Sequence, residues 1–204
     1  MIVSCKKENS TSFPTEQEVT SLMNEAVLNS DLPAIVAIAI NKNGKKITYQ
    51  HGRAIWNEET DVTSDHIFRI WSMTKLVTSI AALQCVENDL IGLDEDLTDV
   101  LPEMCKIPIL SDGEIIEPKN KITLRHLLTH TSGFGYSGYT VKMDGFNDEN
   151  WNYEDAPRHF ESGTNFLYGT STDWVGKLVE KLTGLIGMFG DDVVQLEGVL
   201  FTIE

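Results

Sequence analysis

Residues 68–75 read Phe-Arg-Ile-Trp-Ser-Met-Thr-Lys, and this stretch decides how the rest of the sequence is interpreted. An apolar, strand-like approach runs into apolar residues that recur with helical spacing, which places Ser72 at or just before a helix N-terminus. Lys75 follows about one turn later on the same face, so its amine can reach the serine hydroxyl. A serine is a good nucleophile only beside a base, and a lysine can be that base where burial or charge lowers its pKa. The spacing therefore predicts Ser72 as a nucleophile and Lys75 as its base.

The Ser-x-x-Lys spacing is a weak signal on its own, because it also arises by chance at ordinary composition. A helix start at Ser72 would add backbone N–H groups directed at any oxyanion formed there. Further signals elsewhere in the sequence are needed to distinguish a catalytic site from a chance match.

Composition indicates a globular protein and argues against two classes of partner. The chain has 204 residues, of which 41% are apolar and 23% charged, enough for one sizeable core. Sixteen basic and 31 acidic residues give a net charge of -15. We therefore expect no binding to nucleic acid or to an anionic membrane surface, since phosphate contacts need clustered Lys and Arg. Three cysteines are too few for a disulfide framework.

The first seven residues, MIVSCKK, resemble the end of a bacterial lipoprotein signal, in which a lipidated cysteine follows a short apolar run. The basic region and most of the apolar region that export needs do not precede Cys5. Two interpretations stay open. Either the true start lies upstream and the protein is a periplasmic or outer-membrane lipoprotein anchored through Cys5, or Cys5 is an ordinary tail residue of a cytoplasmic protein. In both, residues 1–13 are a tail or tether.

Hydrophobic periodicity and turn residues predict helices interspersed with short strands. Thr15-x-x-Glu18 is a capping box that opens a helix to about residue 29. A strand follows over residues 34–40, and an Asn-Gly turn leads to a return strand over 46–51. Further along, we expect a helix from Ser72 to about 87, a short helical stretch ending near 101–102, a hairpin within 106–117, a short helix over 123–130 and a helix that stops at 183–184.

Residues 134–164 are rich in glycine, asparagine, aspartate and aromatic residues, with little periodicity. A loop this long inside a compact region is usually functional or disordered, and its aromatic residues argue for an ordered one. We take Tyr136 and Trp151 from this segment as candidate substrate-binding residues.

Other motifs do not reach a recognisable chemistry. His126-x-x-x-His130 has the spacing of a zinc pair, but the glutamate of a zinc protease is replaced by Leu127. We favour helix-end histidines bonded to nearby backbone instead. Gly135-x-Ser137 and Gly169-x-Ser171 begin like nucleophile elbows, but neither has the final glycine. We predict no metal and no other cofactor.

Successive blocks of the sequence resemble the serine β-lactamase-like family, in that family's order. The blocks are 67–75 (IFRIWSMTK), 93–96 (LDED) with 101–103 (LPE), 122–134 (ITLRHLLTHTSGF) and 166–184 (FLYGTSTDWVGKLVEKLTG). The family includes class C β-lactamases, D-Ala-D-Ala carboxypeptidases and family VIII carboxylesterases. The resemblance covers roughly residues 20–184, and ordered blocks are far more specific than one Ser-x-x-Lys.

The resemblance implies an α/β fold of the β-lactamase/transpeptidase-like type, with an antiparallel sheet flanked by helices and a mostly helical region. It implies one partial serine hydrolase domain over residues 14–184 that acts on a small-molecule ester or amide. Ser72 would be the acyl-accepting nucleophile, Lys75 its base, and Tyr168 a partner in proton transfer. A nearby ammonium such as that of Lys75 favours the phenolate which this role requires.

Two departures from the family pattern shape the expected activity. The usual Tyr-x-Asn is here Tyr168-Gly-Thr170, and threonine lacks the two donors of an amide. We therefore expect a carboxylesterase rather than a β-lactamase or D,D-peptidase, with Thr170 as a candidate substrate-binding residue. Residues 185–204 do not match the family, so the resemblance implies that the C-terminal part of the fold, with the third motif, is missing. The alternative is a truncated, weak or inactive member that acts only as a binding remnant.

Overall fold

The computed structural model describes residues 13–30, 32–55, 57–136 and 156–184. Their contacts divide the chain into two compact units, with the boundary between Phe68 and Arg69. We call them the N-terminal and C-terminal units. The proposed domain limits at residues 13 and 184 stay predictions.

The N-terminal unit pairs one helix with a two-stranded antiparallel sheet. Its elements are α1 (Glu16–Leu28), β1 (Ala34–Ile40) and β2 (Lys46–Gly52). Thr15 caps α1 with the predicted capping box, in which Glu18 donates its backbone N–H to the threonine hydroxyl. In the sheet, Ala37 lies opposite Tyr49, whose hydroxyl donates to Asn24 of α1 at 2.9 Å. The helix therefore covers one face of the sheet, and the predicted hairpin is confirmed.

The strand-like approach expected before Ser72 is not a strand. Residues 67–70 form neither strand nor helix, and the side chain of Ile67 is fully exposed. A β-branched or aromatic sequence favours a strand only where a neighbour pairs with it and covers it, and here neither condition is met among the described residues.

The C-terminal unit begins with a 3₁₀ turn at Trp71–Met73 that continues directly into α2 (Thr74–Glu87). The remaining elements are α3 (Pro102–Cys105), β3 (Ile109–Ser111), β4 (Glu114–Ile116), α4 (Leu124–Leu128) and α5 (Ser171–Thr183). The predicted short helix near residue 102 was misplaced. It begins at Pro102 instead of ending there. Proline is favoured at the first position of a helix because its φ is already helical and the N–H that it lacks would have no partner within the helix there.

One apolar core holds this unit together. It is built from α2, α4, α5 and the segment around α3, and includes Ala82, Leu97, Leu101, Met104, Leu124, Leu127, Phe134, Trp174, Val175 and Leu178. Cys85 of α2 is part of this core, since a free cysteine packs like a small apolar residue. The helix α2 packs against α5, and Lys75 near the start of α2 lies close to Tyr168 in the segment that leads into α5. None of the described helices combines the length and apolarity that crossing a membrane would need.

Candidate active site

Ser72 lies in the middle of the 3₁₀ turn, two residues before α2, and is exposed. The predicted placement at a helix start is confirmed. The turn is sharp because Trp71 has a φ of 48°, in the left-handed region that a bulky residue rarely adopts. Such a conformation costs about 1–3 kcal/mol and persists only where the surrounding structure imposes it. It places a strained residue directly before the candidate nucleophile.

Lys75 lies between two tyrosines. Its Nζ donates a hydrogen bond to the Tyr136 hydroxyl at 2.8 Å. The same Nζ lies 5.3 Å from the centroid of the Tyr168 ring and 5.5 Å from that of Tyr136. The two rings are tilted by 59° with centroids 5.9 Å apart. The structure therefore brings three of the candidate residues into one cluster, at the second residue of the helix that follows Ser72.

The surroundings of Lys75 favour its protonated form. Burial lowers the pKa of Lys75, but the hydrogen bond to Tyr136 and the negative charges available on Tyr136, Tyr168 and Asp173 outweigh it and raise the pKa above its usual value. The lowered pKa that a lysine base would need is therefore not found in this arrangement. At neutral pH Lys75 is an ammonium, suited to holding a phenolate oxygen rather than taking a proton from serine.

The two tyrosines are carried by segments that cross in close contact. A Cβ added to Gly169 would lie 2.5 Å from both the Gly135 Cα and the Phe134 carbonyl oxygen, closer than real side chains approach backbone. Only glycine fits at this point. Thr170 adds a hydrogen bond from its hydroxyl to the Gly135 carbonyl at 3.4 Å. The crossing of residues 134–136 and 167–170 therefore fixes Tyr136 and Tyr168 relative to each other.

His130 lies behind Tyr168. Its ring centroid is 4.6 Å from that of Tyr168, and its Nδ1 accepts the Gly169 N–H at 3.4 Å. Burial and the positive charge of Lys75 lower the pKa of His130, so its ring is neutral at pH 7. His126, at the third position of α4, accepts the Thr123 N–H at 3.3 Å. The interpretation of these residues as helix-end histidines bonded to backbone is confirmed.

The other candidate residues fall into two groups. Thr170 is half-buried next to Tyr168, with its hydroxyl bonded to backbone as described. Trp151 and Cys5 lie outside the described residues, and their proposed roles stay predictions. Within the described ranges, no group of three or more His, Cys, Asp or Glu side chains is arranged to hold a metal ion.

Sequence reasoning did not find the hydrogen bond between Lys75 and Tyr136. Tyr136 was a candidate only as an aromatic residue in a functional loop, and 61 residues separate it from Lys75. The only available signal was its position two residues after the 122–134 block, which the fold places beside the start of α2.

Comparison with known proteins decides the family. Residues 31–197 match the beta-lactamase family. The chain belongs to this family. The unliganded, selenomethionyl simvastatin synthase LovD from Aspergillus terreus superposes with a TM-score of 0.68 and 30% identity, over 85% of this chain and 48% of LovD. The β-lactamase/transpeptidase-like fold with helices and antiparallel sheets is therefore confirmed.

Two curated relatives are fungal enzymes of acyl chemistry. The acyltransferase calJ of Penicillium decumbens is 44% identical over 142 residues, which are 61% of this chain and 34% of calJ. The lovastatin esterase of Penicillium rubens is 36% identical over 137 residues, 59% of this chain and 34% of the esterase. The chain thus spans a third to a half of the length of these beta-lactamase family relatives. They give no support to a bacterial lipoprotein, which stays a prediction.

Proposed function

We propose that this chain carries the acyl-accepting centre of a serine enzyme that acts on small carboxylic esters, with Ser72 as the nucleophile. The observation that supports this most directly is the Lys75 ammonium held between Tyr136 and Tyr168, one turn after an exposed serine. The esterase and acyltransferase relatives make an ester the favoured acyl donor over a β-lactam or peptide amide.

In the proposed first step, Tyr168 acts as the base in its phenolate form. It takes the proton of the Ser72 hydroxyl while the serine oxygen bonds to the carbonyl carbon of the ester. The C–O bond to the alcohol then breaks, and the alcohol leaves with the proton from Tyr168. The positive charge of Lys75 stabilises the phenolate, and the backbone N–H of Ser72 helps to hold the oxyanion.

In the second step, water gives a proton to Tyr168 while its oxygen bonds to the acyl carbon. The bond between the acyl carbon and the Ser72 oxygen then breaks, and Tyr168 returns the proton to that oxygen, which releases the acid and restores both Ser72 and the phenolate. We assign the base to Tyr168 because it is 38% exposed and can meet a substrate. Tyr136 is half-buried and its hydroxyl accepts the hydrogen bond of Lys75, so its proposed role is to orient the lysine.

A second candidate function is acyl transfer, in which an alcohol replaces water in the second step. It is favoured by the acyltransferase calJ, which has 44% identity to this chain over the matched part. The first step is the same for both functions, so the identity of the acyl acceptor distinguishes them.

Release of p-nitrophenol from p-nitrophenyl butyrate tests the proposal. We expect turnover by the chain, loss of it in Ser72→Ala, and retention in Ser30→Ala, which changes an exposed serine in the N-terminal unit. Turnover by Ser72→Ala equal to that of the unchanged chain would refute the assignment of Ser72 as the nucleophile. Mass spectrometry of the products in the presence of a primary alcohol separates free butyrate from a new ester. Cooperative unfolding without any turnover would favour the binding-only alternative.

A further inference from the structure

His130 makes three contacts to the segment that carries Tyr168, although the proposed mechanism does not use it. Its ring packs against the Tyr168 ring at 4.6 Å, tilted by 48°. Its Nδ1 accepts the Gly169 N–H at 3.4 Å, and its carbonyl accepts the Leu167 N–H at 2.9 Å. The residues on both sides of Tyr168 are thus tied to one histidine, and the ring of Tyr168 is supported by the same side chain.

We propose that His130 is a positioning residue which holds Tyr168 beside Lys75 only while its imidazole is neutral. The inference rests on the proposed function, because it assigns a task to a residue that acts through Tyr168. The protonation state of the ring decides whether Nδ1 can accept a hydrogen bond. A neutral imidazole with its proton on Nε2 offers Nδ1 as an acceptor, whereas an imidazolium has a donor at both nitrogens and cannot accept the Gly169 N–H.

The charges around His130 also favour its neutral form. Lys75 approaches from α2, and its positive charge disfavours a second cation at His130. Tyr168 lies against the ring, while Tyr136 and Asp173 of α5 face Lys75 and keep it charged. Protonation of His130 would therefore break one hydrogen bond and place a second cation, besides Lys75, next to the Tyr168 ring.

The backbone at His130 restricts what can replace it. Its φ is 55°, in the left-handed region where asparagine is the best tolerated residue after glycine. The Oδ1 of asparagine is about as far from its backbone as Nδ1 is in histidine, so His130→Asn keeps the backbone conformation and an acceptor. It removes the ring contact with Tyr168 and cannot be protonated in the relevant range.

The test is the pH dependence of kcat/KM for p-nitrophenyl butyrate between pH 5 and pH 8. The unchanged chain should lose activity on the acid side of this range as His130 takes up a proton. His130→Asn should lower kcat about tenfold at pH 8 with little change in KM, and flatten the acid limb. The control is His126→Gln, which should keep the acid limb. His126 is also half-buried and has a lowered pKa, but its Nδ1 accepts the Thr123 N–H and not a group next to Tyr168. An unchanged acid limb in His130→Asn would overturn the inference.

A second measurement does not depend on turnover or on the folding of His130→Asn. Histidine ring NMR signals report the pKa of His130 directly. The pKa should rise in Lys75→Met, where the neighbouring charge is gone, and stay unchanged in Lys181→Met, which removes an exposed charge at the end of α5. An unchanged pKa of His130 in Lys75→Met would contradict the placement of Lys75 close to His130. Full turnover in Ser72→Ala would refute the proposed function but not this coupling, so the two failures are distinguishable.

Discussion

Gly169→Ala should disturb the site through one methyl group. The added Cβ would lie 2.5 Å from the Gly135 Cα and from the Phe134 carbonyl oxygen, whereas ordinary Cβ contacts begin at 3.4 Å. The two crossing segments must therefore separate by about 0.9 Å, the difference between these two distances. Both neighbouring atoms belong to the backbone, so no side chain can rotate away to make room. The strain should appear in stability and in the placement of Tyr168.

The expected magnitudes follow from the size of this displacement. Overpacking of a well-packed region costs about 1–3 kcal/mol. For a chain of this length each kcal/mol lowers Tm by about 2–4 °C, so we expect a decrease of roughly 2–12 °C. A misplacement of about 1 Å at a catalytic group can reduce the rate about 100-fold. Gly169→Ala should thus lose p-nitrophenyl butyrate turnover by about two orders of magnitude while it still folds.

Thermal unfolding by circular dichroism and turnover of the same samples measure both effects. The matched control is Gly92→Ala, where the new Cβ would lie 3.4 Å from the nearest atom, the Glu95 Cβ, which is ordinary contact. Gly92→Ala should therefore change Tm and turnover little. If Gly169→Ala matched Gly92→Ala in both measurements, the close crossing of the two segments would be wrong.

Three further predictions concern the base, a buried hydroxyl pair and the pH dependence of stability. Tyr168→Phe should lower kcat about 10²- to 10⁴-fold with little change in KM, and steady-state kinetics with an unchanged kcat would remove it from the proton path. Ser132 and Ser171 share a buried hydrogen bond of 2.8 Å between their hydroxyls, so Ser132→Ala should cost about 1–3 kcal/mol in urea unfolding. The double variant with Ser171→Ala should cost less than Ser132→Ala, and a larger cost would contradict the pairing. Burial lowers the pKa of three histidines, His126, His130 and His159. The unfolded chain therefore binds more protons below pH 6.5, so stability should fall as pH drops from that value through the folded-state pKa values, and a constant Tm from pH 7 to pH 5 would contradict this.

Local sequence signals predicted those ends and turns of helices and strands that depend only on residues close by in the chain. The capping box at Thr15, the Asn-Gly turn and the glycine at 184 set the ends of α1, the hairpin and α5 where the structure has them. Ser72 and Lys75 were placed correctly at one helix start because a single turn separates them. Residues 67–70 were misjudged because β propensity depends on a partner strand that sequence alone does not supply.

The tertiary part of the site was beyond local signals. The hydrogen bond from Lys75 to Tyr136 results from the crossing of two segments, and its decisive residue, Gly169, looked like part of an incomplete nucleophile elbow. The direction of the pKa shift of Lys75 could not be predicted for the same reason. Burial alone would lower this pKa, whereas the hydrogen bond to Tyr136 and the charges of Tyr136, Tyr168 and Asp173 raise it.

The most direct test of Ser72 as the nucleophile is peptide mapping by mass spectrometry after reaction with a fluorophosphonate probe. We expect one adduct, on the peptide that contains Ser72. This adduct should be lost in Ser72→Ala and retained in Ser30→Ala. An adduct on another serine, or undiminished labelling of Ser72→Ala, would contradict the assignment of Ser72 as the nucleophile.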